Sequence, residues 1–124
     1  MGRKFESYLG SKIRKIISII SFFFAAVFYI YILYSERTDR YYIGHTNDPE
    51  RRLAEHNFSD EVKFTSKYRP WTMLISFKVS ELRWEAMKME KFIKRQKSRL
   101  FLKRLIDAKD NPAFFKELIN KVNG

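Results

Sequence analysis

The uncharged stretch over residues 16–34, IISIISFFFAAVFYIYILY, contains two different patterns of hydrophobic positions. Its nineteen residues are long enough for a membrane-spanning helix. Its second half, however, alternates as a strand does, with Ile30 and Ile32 on one face and Tyr31 on the other. A strand that belongs to a sheet cannot also lie in the bilayer. That leaves residues 16–27, which can form a helix but are too few to span a membrane.

The segment that follows predicts a β-hairpin and then a helix. A polar, turn-like connection joins a first strand over residues 28–34 to a second over 40–44. Asp48 suits the N-cap of a helix, and Pro49 suits its first position. This helix is expected to end near Asn57.

The remainder predicts a long loop over residues 58–70, a third strand over 71–79 and three helices, the first ending near Gln96. The predicted helix caps are Ser80, Ser98 and Asn111, and the apolar stripe of the first of these helices is Leu82, Ala86, Met89 and Ile93. The order is β-β-α-β-α-α over residues 28–106, with a C-terminal helix in 107–124. This predicts a mixed α/β (α+β) fold, in which a small three-stranded antiparallel sheet is flanked by helices.

The chain is strongly basic, with 25 lysines and arginines against 14 acidic residues and a formal net charge of +11. Residues 1–26 contain five basic residues and one acidic residue, so 20 and 13 remain beyond them and the net charge is still +7. The body of the chain therefore favours a polyanionic partner, either nucleic acid or an anionic membrane surface. The absence of cysteine and the presence of two histidines alone, His45 and His56, argue against a zinc site.

Four polar side chains are predicted to converge where the hairpin meets the first helix after it. Arg52 and His56 are four residues apart and share a helix face. Tyr42 lies on the same strand face as Gly44, which lets backbone or a ligand approach closely. Together with Tyr31, these residues bring two phenols, one guanidinium and one imidazole to one place. The pattern alone leaves an alternative open, in which the tyrosines pack in the core and the arginine is solvated.

The segments that hold these residues resemble the GIY-YIG nuclease family. YIY at 29–31 and YIG at 42–44 are similar to its paired signature, and the similarity continues through HTNDPERRLAEHN to EAMKMEKFIKRQKS at 85–98. It covers residues 28 to about 106 and is strongest to small single-domain members. These are similar to the nuclease module of the bacterial excision-repair incision subunit and to homing endonucleases. The resemblance implies an endonuclease that hydrolyses DNA phosphodiester bonds with one divalent ion, Mg²⁺ or Mn²⁺.

The resemblance also assigns roles to single residues. Arg52 matches the arginine that contacts the scissile phosphate, and Glu90 matches the single carboxylate that holds the metal ion. Tyr31 and Tyr42 match the tyrosines of the two signature elements. We expect Tyr31 to activate water and Tyr42 to orient water or phosphate, and the reverse assignment stays open. His56 matches a position held by histidine or tyrosine, where it can orient a tyrosine or relay its proton.

Three positions qualify the match to the family. Tyr29 stands where the first signature element usually has glycine. Glu85 competes with Glu90 because both flank the apolar stripe of the same predicted helix, and we favour Glu90 on its context in the family. Some relatives place an asparagine near the metal or phosphate, and no clear equivalent is found near Leu102.

A set of basic side chains is predicted to contact the nucleic-acid backbone, although a solvated basic face would look the same in the sequence. This set is His45, Lys63, Lys67, Arg69, Lys94 and Lys97. His45 follows the second signature element, where some relatives have lysine. The aromatic residues Trp71, Trp84, Phe114 and Phe115 are predicted to lie in the core rather than to stack on bases.

The expected partner is DNA, without a small-molecule cofactor and without a membrane, for a monomer located in the cytoplasm. Two other functions remain open. One is a nucleic-acid-binding module of the same fold that does not cleave, and the other is a membrane-anchored interaction protein that uses residues 16–34. Residues 1–27 are interpreted as an N-terminal basic and apolar extension. We hypothesise that translation of the native protein starts at Val27.

Overall fold

The computed structural model of the protein describes residues 2–24 and 26–124. Met1 and Ala25, two positions of the predicted extension, lie outside the described residues. The described helices and strands are α1 (Gly2–Phe24), β1 (Phe28–Ser35), β2 (Arg40–Thr46), α2 (Pro49–Phe58), α3 (Lys63–Ser66), β3 (Thr72–Ser80), α4 (Arg83–Arg95), α5 (Arg99–Asp107) and α6 (Pro112–Asn123). The proposed start of translation at Val27 stays a prediction.

Helix α1 is longer than the helix predicted over residues 16–27. It begins at Gly2 and includes the polar and basic residues before the apolar segment. Lysine and arginine are good helix formers, so these residues continue the helix instead of ending it. No helix within the described parts of the chain is both long enough and apolar enough to cross a membrane.

The three strands form one antiparallel sheet in the order β2-β1-β3, which confirms the predicted fold class. Tyr31 of the central strand pairs with Gly44 of β2 and with Ser76 of β3. Because both faces of β1 are covered, four successive side chains are at most 1 % exposed, namely Ile30, Tyr31, Ile32 and Leu33. They alternate between the two faces as predicted, with both isoleucines on one face and Tyr31 and Leu33 on the other.

The larger core lies between the isoleucine face of the sheet and the last three helices. Its buried residues are Ile30, Ile32, Ile75 and Phe77 from the sheet, Met89 and Ile93 from α4, Leu102 and Leu105 from α5, and Phe115 from α6. Phe77 stacks on Phe115 with 4.4 Å between the ring centroids. The prediction that the last two helices pack behind the sheet is therefore confirmed.

A smaller cluster covers the opposite face of the sheet, on the side of α2. Its buried residues are Tyr31, Leu33 and Trp71, and Tyr42, Leu53, Tyr68 and Met73 pack against them. Leu53 therefore anchors α2 on this face. The next turn of α2 then carries His56 into the same layer, where it is fully buried.

Three of the four predicted helix caps are confirmed. The side chains of Asp48, Ser98 and Asn111 each accept a hydrogen bond from the backbone N–H three residues later. The fourth is wrong, because Ser80 is the last residue of β3 and its hydroxyl accepts from the N–H of Leu82 at 3.0 Å. Leu82 is the N-cap of α4, so it precedes the buried stripe instead of beginning it and is 49 % exposed.

Two further expectations are corrected. The segment over residues 58–70 is not entirely a loop, because it contains the short helix α3. Trp84 is 55 % exposed and not in the core, whereas Trp71 is 4 % exposed as predicted. Trp84 precedes the buried Ala86 by two positions, about 200° around the helix, so it lies on the outer face of α4. Phe115 is buried, and Phe114 packs against the same core.

Candidate active site

Tyr31 and Gly44 form the centre of the candidate site. They face each other across β1 and β2, and a Cβ at position 44 would overlap the hydroxyl of Tyr31. The absence of a side chain therefore lets the Tyr31 ring lie across Gly44 and brings its hydroxyl to the outer strand of the sheet. We expected a close approach of backbone or ligand at this glycine, and the group that approaches is the tyrosine ring.

His56 connects Tyr31 to the interior. Its Nε2 lies 2.9 Å from the Tyr31 hydroxyl oxygen and its Nδ1 lies 2.8 Å from Oγ1 of Thr65. Burial, assisted by the positive charges of Arg52 and Arg69, lowers the pKa of His56 to about 4. The imidazole is therefore neutral near pH 7, with one nitrogen donating and the other accepting. Tyr31, His56 and Thr65 form a continuous chain of hydrogen bonds.

Arg52 lies one turn before His56 on the same face of α2, as the spacing predicts. Its guanidinium donates to Oε2 of Glu55 at 2.6 Å, and its side chain is 31 % exposed. Burial raises the pKa of Tyr31 above its ordinary value, and the nearby guanidinium of Arg52 partly opposes this rise. Arg52 also reaches solvent through a cavity of about 270 Å³ that is lined by His45, Thr46, Asn47, Arg51, Arg52, Glu55 and Arg83. A cation is thus available at this cavity for an anionic ligand.

Glu90 approaches from α4, on the opposite face of the sheet. Its Oε1 lies 2.9 Å from Nδ1 of His45, and its Oε2 accepts from Nζ of Lys94 at 2.9 Å. Burial alone would raise the pKa of Glu90, but these two hydrogen bonds hold it below its ordinary value. The carboxylate is therefore ionised at neutral pH. Glu85 lies in the first turn of α4, about 7 Å away along the helix axis.

The residues around Glu90 fit a divalent ion that takes few ligands from the protein. Within the described residues, no group of three or more histidine, cysteine, aspartate or glutamate side chains could hold a metal ion. Glu90 nevertheless supplies an ionised oxygen ligand, with His45 beside it. Mg²⁺ is commonly bound through one or two carboxylates together with water and substrate phosphate. One carboxylate is therefore a sufficient protein contribution for such an ion.

Tyr42 completes the aromatic wall of the site. Its ring centroid lies 4.7 Å from that of His56, 6.2 Å from that of Tyr31 and 6.2 Å from that of Trp71. Tyr42 is only half-buried, whereas Tyr31 is 1 % exposed. The structure therefore brings together the two phenols, the guanidinium and the imidazole that the sequence pattern indicates.

The six side chains predicted to contact nucleic acid have different surroundings. Lys63, Lys67, Lys94 and Lys97 are exposed. Arg69 is half-buried and donates to the backbone carbonyls of His56 at 2.6 Å and of Ser59 at 2.5 Å. Arg69 thus satisfies the last carbonyls of α2, a position unlike the solvated one expected of a phosphate contact. His45 likewise points to Glu90 rather than outward.

Thr65 is the member of the site that the sequence did not indicate. It is 1 % exposed and lies on α3, inside the segment that was predicted to be a loop. Its backbone carbonyl accepts from Nε1 of Trp71 at 2.8 Å, so α3 is tied to the aromatic cluster as well as to His56. A four-residue helix gives no hydrophobic periodicity, and a single threonine in a polar segment carries no distinctive signal.

Comparison with known proteins adds independent findings. Residues 27–104 match the family described as the GIY-YIG catalytic domain. The chain is 43 % identical to a structure-specific endonuclease subunit SLX1 homolog of Giardia intestinalis, over 41 % of this chain and 16 % of that protein. It is 41 % identical to a UPF0213 protein of Enterococcus faecalis, over 54 % of this chain and 76 % of that protein. No solved structure matches the chain significantly.

Proposed function

The chain belongs to the GIY-YIG catalytic domain family, and from that premise we propose that it is a divalent-metal-dependent endonuclease that hydrolyses DNA phosphodiester bonds. The name of the Giardia relative, a structure-specific endonuclease subunit, supports this proposal, although the match covers only a small part of that protein. The net charge of +11 is appropriate to a polyanionic substrate.

One observation carries the proposal. The buried hydroxyl of Tyr31 lies 2.9 Å from a neutral imidazole nitrogen and beside the cation of Arg52, at the strand position where Gly44 has no side chain. The glycine gives room for the ring, and what distinguishes this tyrosine from one that serves packing alone is its hydrogen bond to a neutral imidazole beside a cation. This arrangement suits proton transfer next to a bound anion.

Tyr31 and His56 move the proton in the proposed mechanism. At neutral pH the phenol is protonated, and we assign its O–H as the donor to Nε2 of His56 and Nδ1–H of His56 as the donor to Thr65, from the two contacts at 2.9 Å and 2.8 Å. In the proposed complex Arg52, which now lies beside the phenol oxygen, turns to the phosphate, and the phenol oxygen accepts a hydrogen bond from the attacking water instead. As that water loses its proton to Tyr31, the phenol proton passes to His56, so no free phenolate has to form; the resulting imidazolium is acidic because the pKa of His56 is low, and it returns the proton through Tyr31 as the 3′ oxygen leaves.

Arg52 and Tyr42 position the phosphate and the water. In the proposed complex Arg52 donates two hydrogen bonds to non-bridging phosphate oxygens, a geometry that lysine cannot reproduce. Its present partner Glu55 is a partly exposed carboxylate on the same helix, so exchange for a phosphate keeps the guanidinium paired. Tyr42 faces the same space from β2 and orients water or phosphate.

Glu90 is the proposed metal ligand. A divalent ion held there would act as a Lewis acid on the scissile phosphate and stabilise the leaving 3′ oxygen. The hydrogen bonds from His45 and Lys94 keep the carboxylate charged and oriented before any ion binds. Orientation of a carboxylate by neighbouring hydrogen bonds is a usual feature of metal sites.

The proposal is tested by nicking of supercoiled plasmid DNA by the full chain with Mg²⁺ or Mn²⁺. Wild type is expected to nick, and Glu90→Gln to lose about a hundredfold or more of the rate, as expected when one transition-state stabiliser is removed. Glu85→Gln is the matched control, since it makes the same change on the same helix, and it should nick as wild type does. Equal nicking by wild type and Glu90→Gln would exclude Glu90 as the metal ligand. DNA binding without cleavage of any substrate would instead identify a non-cleaving module.

A further inference from the structure

A second and larger cavity, of about 360 Å³, lies along the outer edge of β2. Of the described residues that line it, four are aromatic and four are basic, and none is acidic. The aromatic residues are Tyr41, Phe64, Tyr68 and Trp71, and the basic residues are Arg40, Lys94, Lys97 and Arg99. Cations alone would suit any phosphate, whereas aromatic rings beside them suit a ligand that also has a flat, apolar face.

Two of the residues that line the cavity contact residues of the candidate active site. Lys94 lines the cavity and donates to Glu90, and the ring centroid of Trp71 lies 6.2 Å from that of Tyr42. Ile43 also lines it, one residue before Gly44 and so about 3 Å away along the strand. A nucleic-acid strand whose phosphate lay at the site would therefore bring a neighbouring nucleotide to this cavity.

Phe64 is the exposed aromatic residue at the rim. Its side chain is 62 % exposed although its helix is fixed in place, since Thr65 contacts both His56 and Trp71. Tyr68 meets the Phe64 ring edge-on, with 5.6 Å between the centroids. A fixed, solvent-facing ring gains favourable apolar contact when a planar ligand covers it and loses little side-chain entropy.

We propose that this cavity binds an unpaired nucleotide adjacent to the scissile phosphate, with its base against Phe64 and its backbone phosphate at Lys94 and Lys97. Tyr68, whose own ring is covered by the guanidinium of Arg40 at 4.3 Å, supports Phe64 from the side. The interior bases of a duplex are stacked on one another and offer a face to a protein ring only if the duplex is unstacked at a cost in free energy, so an unpaired nucleotide is the favoured occupant. The inference rests on the proposed nuclease function and makes it more specific. The substrate is DNA that is unpaired next to the cleaved bond.

The test measures binding of the full chain to two labelled DNAs of equal length, in the presence of a chelator so that cleavage does not interfere. One is fully paired, and the other has a single-stranded extension. Phe64→Ala is expected to weaken binding of the extended DNA at least about fivefold, the loss of roughly one stacked base, and to leave duplex binding unchanged. Phe58→Ala is the matched control, because Phe58 is 81 % exposed and does not line the cavity. It should leave both affinities unchanged.

A further variant and a further DNA test whether the contact is made between an aromatic ring and a base. Phe64→Trp should retain the preference for the extended DNA, and circular dichroism should show that all three variants are folded. Abasic residues in the extension should weaken wild-type binding and make Phe64→Ala indistinguishable from wild type. If Phe64→Ala weakens both DNAs equally, or neither, the cavity does not hold a base and this inference is overturned while plasmid nicking still supports a nuclease. If wild type binds neither DNA and also nicks no plasmid with Mg²⁺ or Mn²⁺, the proposed function is overturned as well.

Discussion

The buried imidazole of His56 makes stability depend on pH in a defined direction. His56 is fully buried, and burial is the main reason that its pKa falls from 6.5 to about 4 in the folded chain. Between these two values the unfolded chain binds a proton that the folded chain does not bind. The free energy of unfolding therefore falls as the pH is lowered through this range, and the His56 contribution is fully present only above about pH 6.5.

The magnitude follows from the two pKa values. With 6.5 in the unfolded chain and about 4 in the folded chain, linkage predicts that His56 alone lowers the free energy of unfolding by about 2 kcal/mol between pH 7 and pH 5. The carboxylates whose pKa is lowered, Asp39 and Glu90, titrate mostly below this window and add little to the change. A domain of this size has only about 5–15 kcal/mol of stability, so the effect is large enough to measure.

Urea unfolding at pH 7 and pH 5 tests this reasoning on wild type and His56→Gln. From pH 7 to pH 5 the free energy of unfolding of wild type should fall by about 2 kcal/mol more than that of the variant, because glutamine cannot titrate at this position. Equal losses in wild type and His56→Gln, or a His56 pKa near 6.5 by NMR titration, would refute a buried neutral imidazole.

Substitutions at three further positions test the contacts around Tyr31. Arg52→Lys should lower the nicking rate about a hundredfold at saturating DNA, because one ammonium replaces two directed donors; an unchanged rate would exclude bidentate phosphate binding. Gly44→Ala should reduce the free energy of unfolding by about 1–3 kcal/mol, because the new Cβ overlaps the ring of Tyr31, and it should abolish nicking. A variant as stable as wild type in urea would contradict the observed close approach. Thr65→Val should lower the free energy of unfolding by about 1–3 kcal/mol, because it leaves Nδ1 of His56 unpaired. Thr65→Ser keeps a hydroxyl at this position, so its stability and the ¹⁵N chemical shifts of its His56 ring should be those of wild type.

The fold could be predicted largely from local signals. The alternation in β1 assigned Tyr31 to the face opposite the isoleucines, and the caps at Asp48, Ser98 and Asn111 set the starts of three helices. These features depend on residues close together in the sequence. The predicted cap at Ser80 was wrong because its hydroxyl accepts from the N–H of Leu82 in the turn after β3, and α4 begins only after Leu82.

The site could be predicted only in part, for a physical reason. Spacing places Arg52 and His56 on one face of α2, but it does not reveal which groups lie opposite them. Thr65 reaches His56 from nine residues away, and Glu90 reaches His45 from 45 residues away. Both contacts are set by tertiary packing, and neither residue type is unusual in its local segment. The choice between Glu85 and Glu90 as the metal ligand has the same limit, because both flank the apolar stripe of α4 and helical periodicity does not distinguish them.

The position of the candidate site at the edge strand has a further consequence. Tyr31, Arg52 and His56 lie on one face of the sheet, whereas His45, which pairs with Ile30, extends to Glu90 on the other. In a central strand the neighbouring strand would keep groups on the two faces apart. Beside the glycine of the edge strand, the groups on the two faces are so close that, in addition to burial, the charge of Glu90 raises the pKa of Tyr31. The proposed cleavage requires that no fourth strand pairs with β2, and the basic side chains along that edge disfavour such pairing while favouring a phosphate backbone.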